Sequence, residues 1–219
     1  MTAKIVAITK PVVPGIHTAE DFVAYAARVS NPGNQLNIET APKLLKYLIR
    51  NRHWSPFEMV SITMEIETTR DIGRQMLRHR SFAFQEFSQR YASVESLGFT
   101  VRDARMQDPK NRQASLFAED VELVRDWEDK QLSLLSEIKK LYAWALSNGI
   151  AKEQARAVLP EGMTNSRLYM AGTLRSWIHY ILLRRSNGTQ LEHRDIAVDC
   201  ETEILGEFPS LKEYFDEVG

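Results

Sequence analysis

The chain has 219 residues, a length that suits one folded domain with a proper core, and its 28 Lys and Arg balance 29 Asp and Glu. A net charge of −1 excludes the broad basic field of a nucleic-acid-binding or membrane-surface protein, so any phosphate site must be local. One cysteine excludes an intrachain disulfide framework, and neither a signal peptide nor an apolar run of membrane-spanning length is visible. The expectation is a cytoplasmic protein forming a single domain over residues 1–219, with no membrane or nucleic-acid partner.

Lys4 to Thr9 reads as a first strand, stopped by Pro11, Pro14 and Gly15. Glu20 to Val29 reads as a helix with Phe22, Ala26 and Val29 on one face, and Asn31-Pro32-Gly33 ends it. Thr40 to Asn51 is amphipathic, with Leu44, Leu45, Leu48 and Ile49 inward and Thr40 as N-cap. His53-Trp54-Ser55-Pro56-Phe57-Glu58 follows, a histidine, a hydroxyl and a carboxylate around a proline turn; residue types alone read it as structural. Val60, Ile62, Met64 and Ile66 then alternate with polar residues, as a half-buried strand of an antiparallel sheet requires.

A helix from Thr69 or Asp71 brings Arg70, Arg74 and Arg78 to i, i+4 and i+8, with Gln75 one turn before Arg78 and His79. Arg70 reads as part of a solvated stripe. The run Arg78-His79-Arg80-Ser81-Phe82-Ala83-Phe84-Gln85-Glu86-Phe87-Ser88-Gln89-Arg90-Tyr91 is different. Its guanidinium forks and hydroxyl at close spacing suit a phosphate, with phenylalanines as anchors. A solvated basic helix end followed by a half-buried strand is the plainer reading of the same residues.

Phe99 to Arg105 reads as a strand and Asp108 to Arg112 as a loop. A long scaffold helix spans about Leu116 to Asn148, with Trp127 and Trp144 as core or subunit-contact residues. Ala155-Arg156-Ala157-Val158-Leu159-Pro160 sets one arginine in apolar company, which calls for an acidic residue or a bound phosphate. Thr164 to Ala171 reads as a strand and Thr173 to Arg184 as a helix, in which Arg175 and His179 lie one turn apart. A neutral His179 is expected beside that cation. Gln190 to Glu207 is the last long helix, with Ile196, Cys200 and Ile204 on one apolar stripe that marks Cys200 as a small buried hydrophobe.

Arg-His-Arg, seven intervening residues and a Ser-x-Arg-Tyr ending resemble the signature of the flavin-dependent thymidylate synthases, the ThyX family. Ala83 and Gln85 depart from the commonest form, which has serine and asparagine there. The His53 to Glu58 turn resembles the family's His-x-Ser/Thr-Pro-Phe-Glu element, and Ala155 to Pro160 its Ala-Arg-x-Val-Leu-Pro element. The matches run in order from Ser30 to Glu192. The resemblance implies an α/β (α+β) fold, with a central antiparallel sheet flanked by helices, and a homotetramer whose sites are shared between chains. It implies reductive methylation of dUMP to dTMP with FAD, NADPH and 5,10-methylenetetrahydrofolate, and no metal. By the same resemblance Gln75, Arg78, Glu86, Ser88, Gln89, Arg90, Arg156 and Arg184 bind dUMP. Ser30, Ser55, Glu58, Arg78, His79, Arg80, Glu86, Thr173, Arg175 and His179 hold FAD, and His53 lies in the folate region. The family often has asparagine where Thr173 and His179 stand.

Making a methyl group at pyrimidine C5 requires activation of an unreactive ring. Cys200 lies in no nucleophile motif, and no histidine–carboxylate pair is evident to activate Ser88. Activation is therefore expected to be electrostatic, with Arg184 at the uracil carbonyl and Arg185 the alternative beside it. A non-catalytic RNA- or nucleotide-binding protein and a flavoenzyme methylating uracil in RNA are the rival readings; the first calls for a net basicity this chain lacks, the second for a larger basic surface.

Overall fold

A computed structural model describes residues 1–218, apart from the side chain of Glu95. The elements in chain order are β1 (Thr2–Ile8), α1 (Ala19–Ala27), α2 (Ala41–Arg50), β2 (Ser61–Thr69), α3 (Arg70–Met76), β3 (Ala83–Glu86), β4 (Arg105–Gln107) and β5 (Ser115–Phe117). They continue with α4 (Val121–Ser147), α5 (Lys152–Ala155), β6 (Asn165–Thr173), α6 (Leu174–Arg184), α7 (Leu191–Glu207) and α8 (Lys212–Val218). Four strands form a sheet in the order β1-β2-β6-β3, and β4 and β5 make a separate antiparallel hairpin. The expected α+β class with an antiparallel sheet is what forms. The chain divides into two compact units, the first comprising Met1–Ile66, His79–Phe84 and the chain from Tyr169 onward, the second Glu67–Arg78 and Gln85–Leu168.

In the first unit the alternation of β2 is realised as read: Val60, Ile62, Met64 and Ile66 are buried while Ser61 is exposed. Trp177, Ile178 and Ile181 of α6 and Ile196, Cys200 and Ile204 of α7 join that core. The Trp177 Nε1–H donates to the Ile62 carbonyl at 3.2 Å, so even the polar atom of this large ring is satisfied. At the sheet edge, the Ile5 N–H of β1 donates to the Glu203 carboxylate of α7 at 2.8 Å. Helix α1 starts with a capping box, in which Asp21 N–H donates to the Thr18 hydroxyl and Thr18 N–H to the Asp21 carboxylate. Thr40 precedes α2 without capping it, because its hydroxyl accepts from the buried Arg28 guanidinium at 2.7 Å instead.

The second unit is organised around Arg102. Its Nη2 donates to Asp71 and Thr69, and its Nε to the Gly162 carbonyl. Its backbone N–H and carbonyl are both taken by the Gln131 amide of α4, at 2.8 and 2.9 Å. This explains a correction: Phe99 to Arg105 is not a strand. With the backbone of Arg102 bound to a side chain, no ladder can pass through it; only an isolated Phe99–Thr164 bridge forms, and the strand begins at Arg105. Helix α4 begins at Val121, five residues later than expected, where Asp120 accepts from the Glu122 and Leu123 N–H groups. Only part of α4 is covered: Tyr142 and Ala145 pack with Val94, Ala155 and Leu159. Trp127 and Trp144 are not core residues, at 44% and 57% exposure.

Gly172, in β6, marks the tightest approach in the first unit. A Cβ there would lie 2.5 Å from Cδ1 of Phe82, whose ring sits edge-on to Trp177 at 4.8 Å. Gly172→Ala is expected to destabilise the fold by about 1–3 kcal/mol, as overpacking does, measured as a lowered denaturant midpoint at unchanged slope.

Candidate active site

The candidate residues fall into two groups, one in each unit. In the first, Arg184 closes α6 and donates from Nε to Nε2 of His79 at 2.9 Å. That bond requires an unprotonated Nε2. Burial and then the adjacent Arg184 charge lower the His79 pKa from 6.5 to about 4, so the ring is a neutral acceptor at physiological pH. Among the described residues no carboxylate pairs with Arg184. Arg185 differs completely: its Nη1 donates to both Glu201 oxygens at 2.8 Å, its Nη2 to the Phe215 carbonyl, and its guanidinium lies 5.4 Å from the Phe215 ring centroid. One neighbour is neutralised by the fold and the other is left cationic.

Near the start of α6, Arg175 pairs with Glu58 of the Ser55–Glu58 3-10 turn. His179 sits edge-on to Trp54 at 4.6 Å, and burial together with the Arg175 charge lowers its pKa, the neutral state expected for it. Thr173 caps α6, its hydroxyl accepting from Ser176 N–H at 3.3 Å. Ser55 and His53 are exposed. His53 follows Arg52, whose φ of 57° is the only positive value at a non-glycine position among the described residues. Arg52 N–H donates to Ile49 and His53 N–H to Leu48, a helix-ending turn that leads the chain out of α2 and delivers His53 to the surface. The His53 ring meets Tyr47 edge-on at 6.0 Å. Tyr47 also lines a depression of about 490 Å³ with Arg28, Ser30, Asn34, Thr40 and Lys43, which places Ser30 and His53 around one tyrosine.

In the second unit the arginines sort by partner. Arg70 is 5% exposed, not part of a solvated stripe, and meets Glu86 and Glu161 at 3.3 and 3.1 Å; Arg74 reaches the same two carboxylates at longer range. Glu86 also accepts from the Ser166 hydroxyl at 3.0 Å, so three neighbours hold its carboxylate in place. Arg78, Arg90 and Arg156 have no carboxylate partner among the described residues. Arg156 is half-buried, not buried as its apolar company suggested, and Arg90 lies 5.7 Å from the Tyr91 ring centroid. Ser88 shapes the turn that carries Arg90, its hydroxyl accepting from Arg90 N–H at 3.4 Å. Gln75 is half-buried one turn before Arg78. Gln89 is 4% exposed, yet its amide nitrogen has no hydrogen-bond partner among the described residues. Such an orphan donor, together with cations left without acids, suits an anionic, carbonyl-bearing ligand. Arg80, in the first unit, is likewise exposed and without an acidic partner among the described residues.

The sequence reading missed Tyr180 and His193. Both are buried, and the Tyr180 hydroxyl and His193 Nε2 share a hydrogen bond of 3.0 Å. A histidine on the same stripe as Ile196 and Cys200 was the available signal.

A family model described as "Thymidylate synthase complementing protein" matches residues 12–210. The chain is 53% identical over 216 residues, 99% of each chain, to a "Probable flavin-dependent thymidylate synthase" of Paramecium bursaria Chlorella virus 1. It is 45% identical to a "Flavin-dependent thymidylate synthase" of Synechocystis sp., over 96% of this chain and 97% of that one. Among solved structures it is similar to the UMP/dUMP methylase PolB of Streptomyces cacaoi with 5-Br UMP bound. The TM-score is 0.82 at 27% identity, over 100% of this chain and 94% of that one.

His79 and His193 are held neutral, with pKa values lowered from 6.5 to about 4 and about 3. Their stabilising contribution is complete above the ordinary imidazole pKa and is lost as pH falls from about 6.5 towards those values, where the unfolded chain binds protons and the folded chain does not. The melting temperature of the native chain is therefore expected to fall more steeply between pH 7 and pH 4.5 than that of His79→Gln. Parallel curves would refute the assignment.

Proposed function

The chain belongs to the thymidylate synthase complementing protein family, and from that membership we infer that it is a flavin-dependent thymidylate synthase, converting dUMP to dTMP. The carrying observation is the sorting of arginines: among the described residues Arg78, Arg80, Arg90, Arg156 and Arg184 have no acidic partner, while Arg70, Arg74, Arg102 and Arg185 are paired with acids of the fold. A substrate with a phosphate at one end and an ionisable ring at the other uses such charges at both ends.

Arg78, Ser88, Arg90 and Arg156 take the phosphate end of dUMP, with Gln75 and Gln89 as amide partners and Glu86 fixing the strand beside them. Arg184 polarises the uracil carbonyl and stabilises the negative charge that develops as N3 ionises. Because its Nε is held by a neutral ring, its charge is available for that task. Ser30, Ser55, Glu58, Arg78, His79, Arg80, Glu86, Thr173, Arg175 and His179 hold FAD, and His53 faces the folate. When bound, FAD supplies the hydride drawn from NADPH, and 5,10-methylenetetrahydrofolate supplies the carbon.

Cys200 takes no part. It is fully buried, and burial, with Asp199 and Glu203 nearby, pushes its thiol far above the usual range, so no thiolate forms. The family match covers residues of both compact units, which supports one synthase domain over residues 1–219. We place the enzyme in a homotetramer with sites shared between chains; contact with another chain would cover the exposed Leu134, Leu141 and Trp144 of α4. A cytoplasmic setting fits a chain whose single cysteine is a free buried thiol.

Purified protein supplied with FAD, 5,10-methylenetetrahydrofolate and NADPH under low oxygen is expected to form dTMP from dUMP, with UMP as the competing substrate to compare. Folded, flavin-bound protein that makes no dTMP would overturn the assignment, and methylation of uracil in RNA would replace it. Arg184→Ala should lose about 10²–10³-fold in turnover with its fold intact. Arg185→Ala should instead lose about 3–5 kcal/mol of stability, the cost of stranding Glu201. Cys200→Ala should retain turnover.

A further inference from the structure

Behind the Arg184–His79 hydrogen bond lies a second polar layer. Tyr180 is on α6 one turn before Arg184, at i and i+4, and so on the same face of the helix. Its ring stands edge-on to His79, with centroids 4.9 Å apart and planes at 81°. Its hydroxyl is hydrogen-bonded to His193 Nε2 at 3.0 Å, and the His193 ring lies 6.5 Å from that of His79. Tyr180 and His193 are 1% and 0% exposed. They make no place for a ligand, and a leucine and a phenylalanine would fill the same space without the obligation to satisfy polar atoms.

We propose that Tyr180 and His193 form a positioning clamp for the synthase reaction, setting the His79 ring and through it the direction in which Arg184 points. His79 can hold Arg184 only if its unprotonated Nε2 faces the guanidinium, and edge-on contact with the aromatic ring of Tyr180 restricts the rotation that would swing that atom away. Tyr180, at 4.9 Å, and Phe82, at 6.5 Å, have ring centroids 6.0 Å apart and so form one aromatic surface against His79. The Tyr180 ring is tied down in turn by its hydroxyl. Burial keeps that hydroxyl protonated, and the burial of His193, together with Arg184 and His79, keeps its imidazole neutral, so the bond persists across the physiological range. A preorganised charge depends on such support, since a small rotation of the guanidinium changes its alignment with developing charge.

This inference rests on the proposed role of Arg184, and the test separates the two. Tyr180→Phe keeps the ring and removes the bond, and His193→Gln keeps a hydrogen-bonding atom that His193→Leu removes. Tyr180→Phe and His193→Leu are expected to lower kcat about tenfold with KM for dUMP within about twofold, and His193→Gln to restore most of the loss. In a His79→Gln background Tyr180→Phe should have no further effect on kcat, because the clamp acts through His79. A purely structural pair would lower the melting temperature equally in both backgrounds and leave kcat unchanged. That result, or a full loss of kcat added on top of His79→Gln, would overturn the clamp. Should Tyr180→Phe not fold, the two His193 variants decide the matter by the same criteria. Arg184→Ala that retains turnover would overturn the role of Arg184 and the clamp with it. Inactive Arg184→Ala beside fully active Tyr180→Phe and His193→Leu would overturn the clamp alone.

Discussion

A cation that must act on a substrate has to be held in place without being neutralised. Arg184 and Arg185 are adjacent, chemically identical, and treated in opposite ways. A carboxylate and a backbone carbonyl hold Arg185, and its charge is absorbed into the junction between α7 and the C-terminal helix. Arg184 is held by an imidazole nitrogen, a good acceptor that carries no charge. This arrangement is stable only while His79 is neutral, and burial beside a guanidinium ensures that it is. Orientation and charge are thereby separated: the fold supplies the first without cancelling the second.

The same economy of partners runs through the second unit. Arg70 and Arg74 use up Glu86 and Glu161, and Arg102 uses Asp71. These ion pairs fix α3 and the approaches to β3. Arg70 is deeply buried, so its paired carboxylates are required to make its burial tolerable rather than to add stability for their own sake. Arg78 follows at the same four-residue spacing, without an acid of its own among the described residues. Neighbouring residues of one arginine-rich stretch thus divide into paired and unpaired cations, among the described residues, according to which carboxylates the fold brings near.

Apolar packing carries this polar architecture. Phe82, inside the signature, owes its place to the missing side chain of Gly172 and to the face of Trp177. Its ring lies edge-on to His79 at 6.5 Å, so a glycine on β6 bears on the packing beside that histidine. Cys200 shows how burial decides chemistry from the other direction: a thiol surrounded by α7 and its neighbours cannot ionise, and the ring of the substrate has to be activated without it.

By itself the sequence determined the periodic elements and the family. The alternation from Val60 to Ile66, the α6 and α7 stripes and the short fixed motifs are local patterns, and local patterns survive without knowledge of the fold. What it could not determine were partners far apart in the chain. Arg70 read as solvated because Glu86 and Glu161 lie 16 and 91 residues away. Phe99 to Arg105 read as a strand because nothing local reveals that Gln131 takes both backbone groups of Arg102. Arg184 and Arg185 looked alike for the same reason, and only the fold sets His79 beside one and Glu201 beside the other. Tyr180 and His193 were invisible as a pair, since a hydrogen bond between two helices exists only once the helices pack.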